Sequence, residues 1–349
     1  MKIFISWYPY RRNFRNPLRT ASGLWHLREG FLVESTFGTR KTWTEIAPMP
    51  NFGTETIEEA RDFLVSINGK VDFGELKIPD RLPCCAYALT GAKHNLFNNI
   101  SDDYFKIGSF PVAGFLGSGS KVFEHFRNKK LNGFKTFKWK IGVDSFEKEW
   151  ETFTQIASET QKDLKFRLDA NASLDLDTAE RWLQAVADFN SGISNKPMNI
   201  EFFEQPMAVG YELEMERLSK KYGIPIALDE SLNGSKGSQW LRYKAWIGPL
   251  VLKPSLQGSF DSQIAIVSAR SSQCVLSSSF ETIVGLNQSL RLAAIQKSQI
   301  GNKDSLYAMG FDTQSLFEDP FEIGISSNKP GLGEIKLAVQ RLMPHVFSP

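Results

Sequence analysis

From about residue 108 onwards, short apolar segments alternate with amphipathic helical patterns, and this alternation constrains the fold more than any other feature. The apolar segments are rich in β-branched or aromatic residues and predict eight strands, at 110–116, 136–141, 165–169, 199–204, 224–229, 250–253, 274–278 and 306–311. Helical spacing fills most of the intervals, at 122–130, 146–160, 177–188, 211–222, 261–271 and 287–296. Such alternation predicts a parallel sheet, and eight units within roughly 200 residues favour a closed α/β barrel of the TIM type.

The sequence before this repeat is typical of a small α+β domain. Strand composition covers 2–10 and 23–29, and helical spacing covers 54–67 and 83–95. The segment from Thr54 to Ile57 supplies the predicted cap of the first helix, and Pro83 stands at the start of the second. We therefore predict an α+β domain over 1–107 and a barrel over 108–317. The proline-containing stretch 318–349 is expected to run back over the first domain.

Composition excludes several classes of function. Lys and Arg number 41 against 39 Asp and Glu, so the net charge of +2 gives no electrostatic case for binding nucleic acid or an anionic membrane surface. No apolar stretch reaches the roughly 18 residues that a membrane span requires, and the apolar run at the N-terminus is too short for a signal peptide. The three cysteines form neither a disulfide framework nor a metal-binding pair. No obligate protein partner is implied.

Charged residues stand where the predicted strands give way to turns. In chain order they are Lys138 and Lys140, Asp169, Glu204, Asp229, and Lys253. From Lys140 to Lys253 the intervals are 29, 35, 25 and 24 residues, each the length of one strand–helix unit. Because residues two apart on a strand share a face, Lys138 and Lys140 both point into the barrel. The sequence therefore predicts a charged rim at the carboxyl ends of the strands, where barrels of this type build active sites.

The composition of this rim indicates a metal-assisted reaction. Three converging carboxylates repel one another, and a hard divalent cation such as Mg²⁺ relieves that repulsion. Zinc is disfavoured because neither His nor Cys accompanies the carboxylates. Lysines beside such a cation have lowered pKa values and suit the work of a general base. Together these groups favour removal of a proton next to a substrate carboxylate, which forms an enediolate dianion. Each of these residues alone is typical of an ordinary turn or strand edge. Their occurrence in this order on consecutive predicted strands is what indicates an active site.

The stretches around these residues resemble the muconate lactonizing subgroup of the enolase superfamily. The matching motifs are Lys138-Trp139-Lys140, Leu168-Asp169-Ala170-Asn171, Glu204-Gln205-Pro206, Leu228-Asp229-Glu230-Ser231 and Lys253-Pro254. The resemblance implies an N-terminal α+β capping domain on a (β/α)7β barrel. It also implies Mg²⁺, with Mn²⁺ as a substitute, held by Asp169, Glu204 and Asp229. Lys140 would be the base, Lys138 an electrostatic partner of the enediolate, and Lys253 an ammonium against the substrate ring.

Four stretches of the sequence indicate one branch of the subgroup. They are 43–50 and 52–56 in the first domain, and 167–171 and 276–281 in the predicted barrel. Their resemblance is to cytoplasmic bacterial enzymes of menaquinone biosynthesis that remove water from 2-succinyl-6-hydroxy-2,4-cyclohexadiene-1-carboxylate in a syn elimination. The substrate is therefore expected to be a small carboxylate.

Other reactions of the same subgroup stay open. An N-succinylamino acid racemase, a dipeptide epimerase and a cycloisomerase are the alternatives. The opposed lysines Lys140 and Lys253 are both present, so two-base racemisation is chemically available. A dipeptide epimerase would also carry an acidic motif after the eighth strand, and Asp312 is ambiguous in that respect. A non-catalytic binding protein on the same scaffold would be expected to have lost one of the rim charges, and here all are present.

Six further residues are candidates for substrate binding: Arg19, Arg167, Asn171, Ser278, Ser279 and Gly310. Arg167 and Asn171 share parity with Asp169 and should point inward, although an ordinary interior polar layer is the alternative. Backbone N–H groups at Ser278 and Ser279 are expected to hold a carboxylate. Arg19 belongs to a basic cluster that either closes over an anionic substrate or is simply solvated. Glu230, by alternation, is expected to point away from the cavity and to support the ligands from behind.

Overall fold

The N-terminal part of the protein is an antiparallel sheet covered by two helices. The computed structural model describes residues 2–20, 23–97, 110–160, 162–191, 198–241, 246–300 and 306–318. The sheet has the order β3-β2-β1-β4, with β1 at Lys2–Thr20, β2 at Gly23–Phe37, β3 at Arg40–Ile46 and β4 at Gly69–Asp72. The first two strands form a hairpin much longer than predicted. Pairing extends from Phe4 opposite Thr36 to Thr20 opposite Gly23. The last two strands were not predicted.

The two helices of this domain begin in different ways. Helix α1 spans Ile57–Ser66, and helix α2 spans Pro83–Phe97 with Pro83 at its start as predicted. The cap of α1 lies within the predicted segment from Thr54 to Ile57. Thr56 is the cap, and it exchanges hydrogen bonds with Glu59 in a capping box. The Thr54 hydroxyl instead accepts a hydrogen bond from the Met49 backbone N–H at 2.7 Å.

The second part is the predicted barrel. Its strands are β5 (Ala113–Gly117), β6 (Thr136–Lys140), β7 (Lys165–Asp169), β8 (Asn199–Glu204), β9 (Ile226–Ala227), β10 (Leu250–Leu252) and β11 (Cys274–Leu276). All neighbouring pairs within the two hydrogen-bonded sheets, β5 to β9 and β10 to β11, are parallel. A parallel bridge between Leu228 and Leu250 joins the two sheets.

Residues 306–311, the predicted eighth strand, close the barrel. Met309 bridges Val112 and Gly310 bridges Ser277, both in parallel orientation. The Gly310 N–H donates to the Leu276 carbonyl at 2.9 Å, and the Ala113 N–H donates to the Met309 carbonyl at 2.9 Å. The barrel therefore consists of seven parallel strands and the parallel segment 306–311. The predicted (β/α)7β barrel with an N-terminal α+β cap is confirmed.

A helix follows each of the seven strands in the described part of the barrel. These helices are α3 (Val122–Leu131), α4 (Phe146–Glu159), α5 (Leu176–Ser191), α6 (Glu212–Tyr222), α7 (Gly234–Leu241), α8 (Phe260–Ala269) and α9 (Ile283–Gln299). Helix α7 was not predicted, because its sequence Gly-Ser-Lys-Gly-Ser-Gln-Trp-Leu has low helix propensity. Its position between β9 and β10 gives it tertiary support that overrides propensity.

The expected domain boundary at 107/108 and the expected packing of residues 319–349 lie outside the described residues. At the end of the described chain, Phe317 stacks on Phe14 of β1 with ring centroids 4.4 Å apart. The Arg12 guanidinium lies 3.8 Å from the centroid of the Phe317 ring. Within the described residues, no helix combines the length and apolar character that a membrane span requires.

Candidate active site

A cavity of about 490 Å³ lies at the carboxyl ends of the barrel strands, beneath residues of the cap. Its charged lining comes from the barrel and comprises Lys138, Lys140, Asp169, Asp229, Glu230, Lys253 and Asp312. Its aromatic lining comes from both parts and comprises Trp25, Phe52, Phe115 and Phe280. The predicted rim is therefore one continuous site that the cap covers.

Strand register brings the charged groups to one level. Parallel pairing places Lys140 beside Asp169, Asp169 beside Glu204, and Glu204 beside Ala227, two residues before Asp229. Each charge lies at or within two residues of the end of its strand, so the side chains converge although they are 24 to 35 residues apart in sequence. Glu204 is 1% exposed and does not line the cavity itself. It contacts Lys138, which does.

Two lysines contact the three carboxylates directly. The Lys138 Nζ atom lies 2.9 Å from Asp169 Oδ2 and 2.6 Å from Glu204 Oε1. Lys253 Nζ forms an ion pair with Asp229 Oδ1. Burial raises the pKa of Glu204 to about 8, with Asp169 adding to the effect and Lys138 opposing it. Burial alone would also raise the pKa of Asp169, but the Lys138 ammonium lowers it below its ordinary value.

Lys140 differs from the other two lysines in its electrostatics. Burial lowers the pKa of Lys140, Asp169 only partly opposes this effect, and Lys138 reinforces it. For Lys138 and Lys253 burial acts in the same direction, but the adjacent carboxylates outweigh it and raise both pKa values. Lys140 is therefore the lysine of the three that most readily becomes a neutral amine, which is the form that accepts a proton.

The donor set fits a hard divalent cation. Asp169, Glu204 and Asp229 are each at most 4% exposed, and two lysine ammonium groups carry positive charge against them. Buried carboxylates without His or Cys are the donors that Mg²⁺ prefers. Among the described residues, no three side chains of His, Cys, Asp or Glu are arranged to hold a metal as they stand. In this structure one oxygen of each of the three carboxylates is paired with Lys138 or Lys253.

Gln205 orders the backbone between two of these carboxylates, a role that the sequence analysis missed. It is fully buried and has a positive φ of 35°. Its Oε1 accepts the Asp229 N–H at 3.0 Å and the Ser231 N–H at 3.2 Å, and its Nε2 donates to the Ser231 Oγ at 2.7 Å. The motif Glu204-Gln205-Pro206 marked the position, but periodicity gave no sign of this hydrogen-bonding role.

The predicted substrate-binding residues do not all line the cavity. Asn171, Ser278 and Gly310 do. Arg167 lies deeper in the barrel, where its Nε donates to Glu201 Oε2 at 2.6 Å and its Nη1 donates to the Ala308 carbonyl at 2.6 Å. This position agrees with the alternative of an interior polar layer.

Ser279 also lies away from the cavity lining. It is fully buried, and its Oγ is 2.5 Å from the Ser255 Oγ. The side chain of Arg19 lies outside the described residues.

Glu230 does not point away from the cavity, as the alternation of the strand had led us to expect. Strand β9 ends at Ala227, and a 3-10 turn over Glu230–Leu232 follows Asp229, so period-two alternation no longer applies. Glu230 lines the cavity, and its Oε1 accepts the Asn171 Nδ2–H at 3.1 Å. Its Oε2 is buried and has no hydrogen-bond partner among the described residues. Burial raises the pKa of Glu230 to about 7, and Asp229 contributes to the shift.

Asp312 is committed to contacts within the protein. Its Oδ2 forms an ion pair with Lys129 of α3 and accepts the Phe115 backbone N–H of β5 at 2.8 Å. These contacts join the closing segment to the first strand and first helix of the barrel. The charge of Asp312 is thus balanced before any substrate enters.

Family profiles match both parts of the chain. The family described as "Enolase C-terminal domain-like" matches residues 122–335, and the family described as "MenC, N-terminal domain" matches residues 8–96. The o-succinylbenzoate synthase of Thermosynechococcus vestitus is 30% identical over 260 residues, which cover 73% of this chain and 77% of that protein. The o-succinylbenzoate synthase of Photorhabdus laumondii is 30% identical, with coverage of 76% and 78%.

Solved structures agree with the profiles. The o-succinylbenzoate synthase from Thermosynechococcus elongatus BP-1, complexed with Mg in its active site, superposes with a TM-score of 0.77 and 25% identity, covering 98% of this chain and 99% of that one. The L-Ala-D/L-Glu epimerase from Bacillus subtilis has a TM-score of 0.71 and 17% identity, covering 91% and 92% of the two chains. The second likeness shows the shared fold alone.

Proposed function

Because the chain belongs to the o-succinylbenzoate synthase family of the enolase superfamily, we propose that it converts 2-succinyl-6-hydroxy-2,4-cyclohexadiene-1-carboxylate to o-succinylbenzoate. The reaction breaks the C–H bond next to the ring carboxylate and the C–O bond of the ring hydroxyl, and water leaves as the ring becomes aromatic. One observation carries the proposal: Lys138, Lys140 and Lys253 meet a set of buried carboxylates in one covered cavity.

Lys140 is the proposed base. Its lowered pKa favours the neutral amine, and it lines the cavity. The amine takes the proton next to the carboxylate, and the electron pair of that C–H bond passes into an enediolate. In a syn elimination the same ammonium then returns the proton to the departing hydroxyl. One lysine therefore serves both steps, and no second acid is required.

Lys138 and Lys253 are proposed to stabilise charge rather than to move the first proton. Both ammonium groups have raised pKa values, so both stay positive at neutral pH. Lys138 would lie beside the enediolate oxygens. Lys253 would lie against the substrate ring, and its Nζ is already 5.1 Å from the centroid of the Phe52 ring.

Asp169, Glu204 and Asp229 are proposed to hold Mg²⁺, with Mn²⁺ as a substitute. When bound, the cation supplies positive charge for the carboxylate of the substrate and for the enediolate that forms from it. Asn171, Ser278 and Gly310 are proposed to contact the rest of the substrate, since they line the same cavity. The proposal also includes a place in menaquinone biosynthesis and a cytoplasmic location.

Racemisation of N-succinylamino acids is the second candidate. Lys140 and Lys253 both line the cavity, so a proton could be taken and returned from two lysines. Dipeptide epimerisation has less support, because a substrate ammonium needs an available carboxylate after the eighth strand. Asp312 already pairs with Lys129 and accepts the Phe115 N–H.

The test compares the two candidate reactions in the purified protein with Mg²⁺. Loss of the diene absorbance reports dehydration of the cyclohexadiene substrate, and α-deuterium incorporation in D₂O reports racemisation of N-succinylamino acids. We expect fast dehydration with little exchange. Fast exchange with slow dehydration would assign the site to a racemase. If Mg²⁺ binds and neither signal appears, the proposed substrate is wrong.

A further inference from the structure

Helix α9 begins with a capping arrangement that its own sequence leaves incomplete. Thr282 is the N-cap, and its Oγ1 accepts the Val284 N–H at 3.1 Å. In a capping box, a Glu or Gln three residues after the cap accepts the N–H of the cap residue. Helix α1 has this residue in Glu59. Helix α9 has Gly285 at the equivalent position, so it has no side chain to complete the box.

Glu45 of the cap domain supplies the missing carboxylate. Both of its carboxylate oxygens lie 3.0 Å from the Thr282 N, and Oε2 also accepts the Gly285 N–H at 2.9 Å and the Thr282 hydroxyl. Tyr10 of β1 donates its hydroxyl to Oε1 at 2.5 Å. A strand of the cap thus completes the first turn of a barrel helix 237 residues away in sequence.

Gly285 is required for this approach. A Cβ atom at position 285 would lie 2.9 Å from Glu45 Oε2 and 2.7 Å from Glu281 Cβ, both too close for atoms that are held on the backbone or buried. The glycine therefore serves the contact between the domains, since its φ is not in the left-handed region.

The segment before α9 carries part of the cavity lining. Ser278 and Phe280 face the cavity, and Phe280 has a positive φ of 64°. The buried carboxylate of Glu281 accepts hydrogen bonds from the Ser278 hydroxyl at 2.7 Å and from the Ser279 N–H at 2.6 Å. This strained turn leads directly into Thr282, so the start of the helix fixes one end of it.

Two buried arginines of the cap hold the same segment. Arg28 donates to the Ser279 carbonyl at 3.3 Å, and Arg12 donates to the Glu281 carbonyl at 2.9 Å. The backbone from 278 to 282 includes the predicted substrate-binding residues Ser278 and Ser279, and the cap therefore helps to hold it. Among these three cap residues Glu45 makes the most bonds to this segment and to the first turn of α9, and it does not itself line the cavity.

We propose that Glu45 is a positioning residue, which acts through Thr282 and Gly285 to hold Ser278 and Phe280 against the substrate. It completes a capping box between the two domains, so the shape of this part of the cavity wall depends on docking of the cap. The proton-transfer group Lys140 lies on another strand, and its geometry does not depend on this contact. Loss of Glu45 should therefore weaken substrate binding much more than it slows the chemical step.

The chain offers a matched control in Glu55. This carboxylate is also buried and also lies at a helix N-terminus, where it accepts the Cys84 N–H at 3.1 Å and the Cys85 N–H at 2.8 Å of α2. Among the described residues, its hydrogen bonds stay within the cap. Glu45→Gln and Glu55→Gln therefore remove equivalent charges, and only the first touches the barrel.

The experiment measures kinetics and amide hydrogen exchange for both variants. For Glu45→Gln we expect KM to rise about tenfold, as expected for weakening one buried charged hydrogen-bond set, with kcat within about threefold of wild type. Exchange should accelerate in peptides that cover 277–286. For Glu55→Gln we expect unchanged KM, with faster exchange confined to the start of α2.

The kinetic arm rests on the proposed function, whereas the exchange arm does not. Unchanged exchange over 277–286 in a folded Glu45→Gln protein would overturn the proposal, and so would an equal rise in KM for both variants. If Glu45→Gln does not fold, Tyr10→Phe replaces it, and a smaller rise in KM with faster exchange at the same peptides is then required. An inactive wild-type protein would refute the proposed reaction and leave the exchange result to decide this inference.

Discussion

The two parts of the cavity wall are built in different ways. The charged part consists of residues that end consecutive barrel strands, so hydrogen-bond register alone aligns Lys140, Asp169 and Glu204. The aromatic part consists of cap and loop residues together with Phe115 of β5. Within it, Phe280 packs edge-on against Trp25 with ring centroids 6.2 Å apart. The first part is rigid by virtue of the sheet. The second exists only when the cap is docked.

The two parts of the wall therefore have different roles in the proposed reaction. Groups that move protons or hold a metal belong to the sheet, where small errors in position are prevented by the barrel itself. Groups that contact the rest of the substrate belong to the docked cap and the segments that it holds. We therefore expect changes in the charged part to lower kcat and changes in the cap-dependent part to raise KM.

The largest effect is expected from Lys140→Ala. Loss of the proposed base should reduce kcat by about a thousandfold or more. In the wild type, kcat/KM should fall as pH is lowered through the pKa of Lys140, because the protonated amine accepts no proton. Burial shifts that fall to lower pH than for an ordinary lysine. Lys135→Ala, which removes an exposed lysine just before the same strand, is the control. Substantial residual turnover with an unchanged circular dichroism spectrum would contradict the assigned role.

Metal removal should have the next largest effect. Chelation with EDTA is expected to lower the rate by at least about a hundredfold, and added Mg²⁺ should restore it. Isothermal titration of the chelated protein with Mg²⁺ checks binding independently of turnover. Asp229→Asn should weaken that binding, because the amide carries no negative charge. Full activity in excess chelator would show that the carboxylates serve only to pair with the lysines.

The third prediction concerns Lys129, which pairs with Asp312 but does not line the cavity. In Lys129→Met the buried Asp312 loses its counter-ion and faces an anionic substrate, so KM should rise about tenfold with little change in kcat. The double variant with Asp312→Asn removes the unbalanced charge and should bring KM back towards the wild-type value. A double variant that is as poor as Lys129→Met would indicate that the pair only closes the barrel.

The smallest effect is expected from Phe52→Leu. The substitution keeps an apolar side chain but removes the ring face that lies 5.1 Å from Lys253 Nζ. An exposed or partly desolvated cation–π contact is worth about 0.5–1 kcal/mol, so KM should rise by roughly two- to fivefold. Phe37→Leu, at a cap aromatic packed on Phe97, is the control. An unchanged KM would remove Phe52 from the site.

The sequence predicted the charged part well and the aromatic part hardly at all. The residues Lys138, Lys140, Asp169, Asp229 and Lys253 follow local patterns, and the structure brings them to one cavity. Trp25 lies in the predicted strand 23–29, whereas Phe52 and Phe280 lie outside the predicted strands and helices. For none of the three did a local pattern point to the cavity. Glu230 was placed on the wrong side because the strand ends three residues earlier.

What the sequence determined by itself is the set of strand–helix units and the charge at the end of each, because both depend on spacing within about 35 residues. Parallel pairing then aligns those ends without further information. The tertiary structure decided which loops and cap residues cover the site. It also decided that Glu45 completes a helix that begins at Thr282, because that contact joins segments 237 residues apart and needs the space left by Gly285. Local periodicity carries no information about such a pairing.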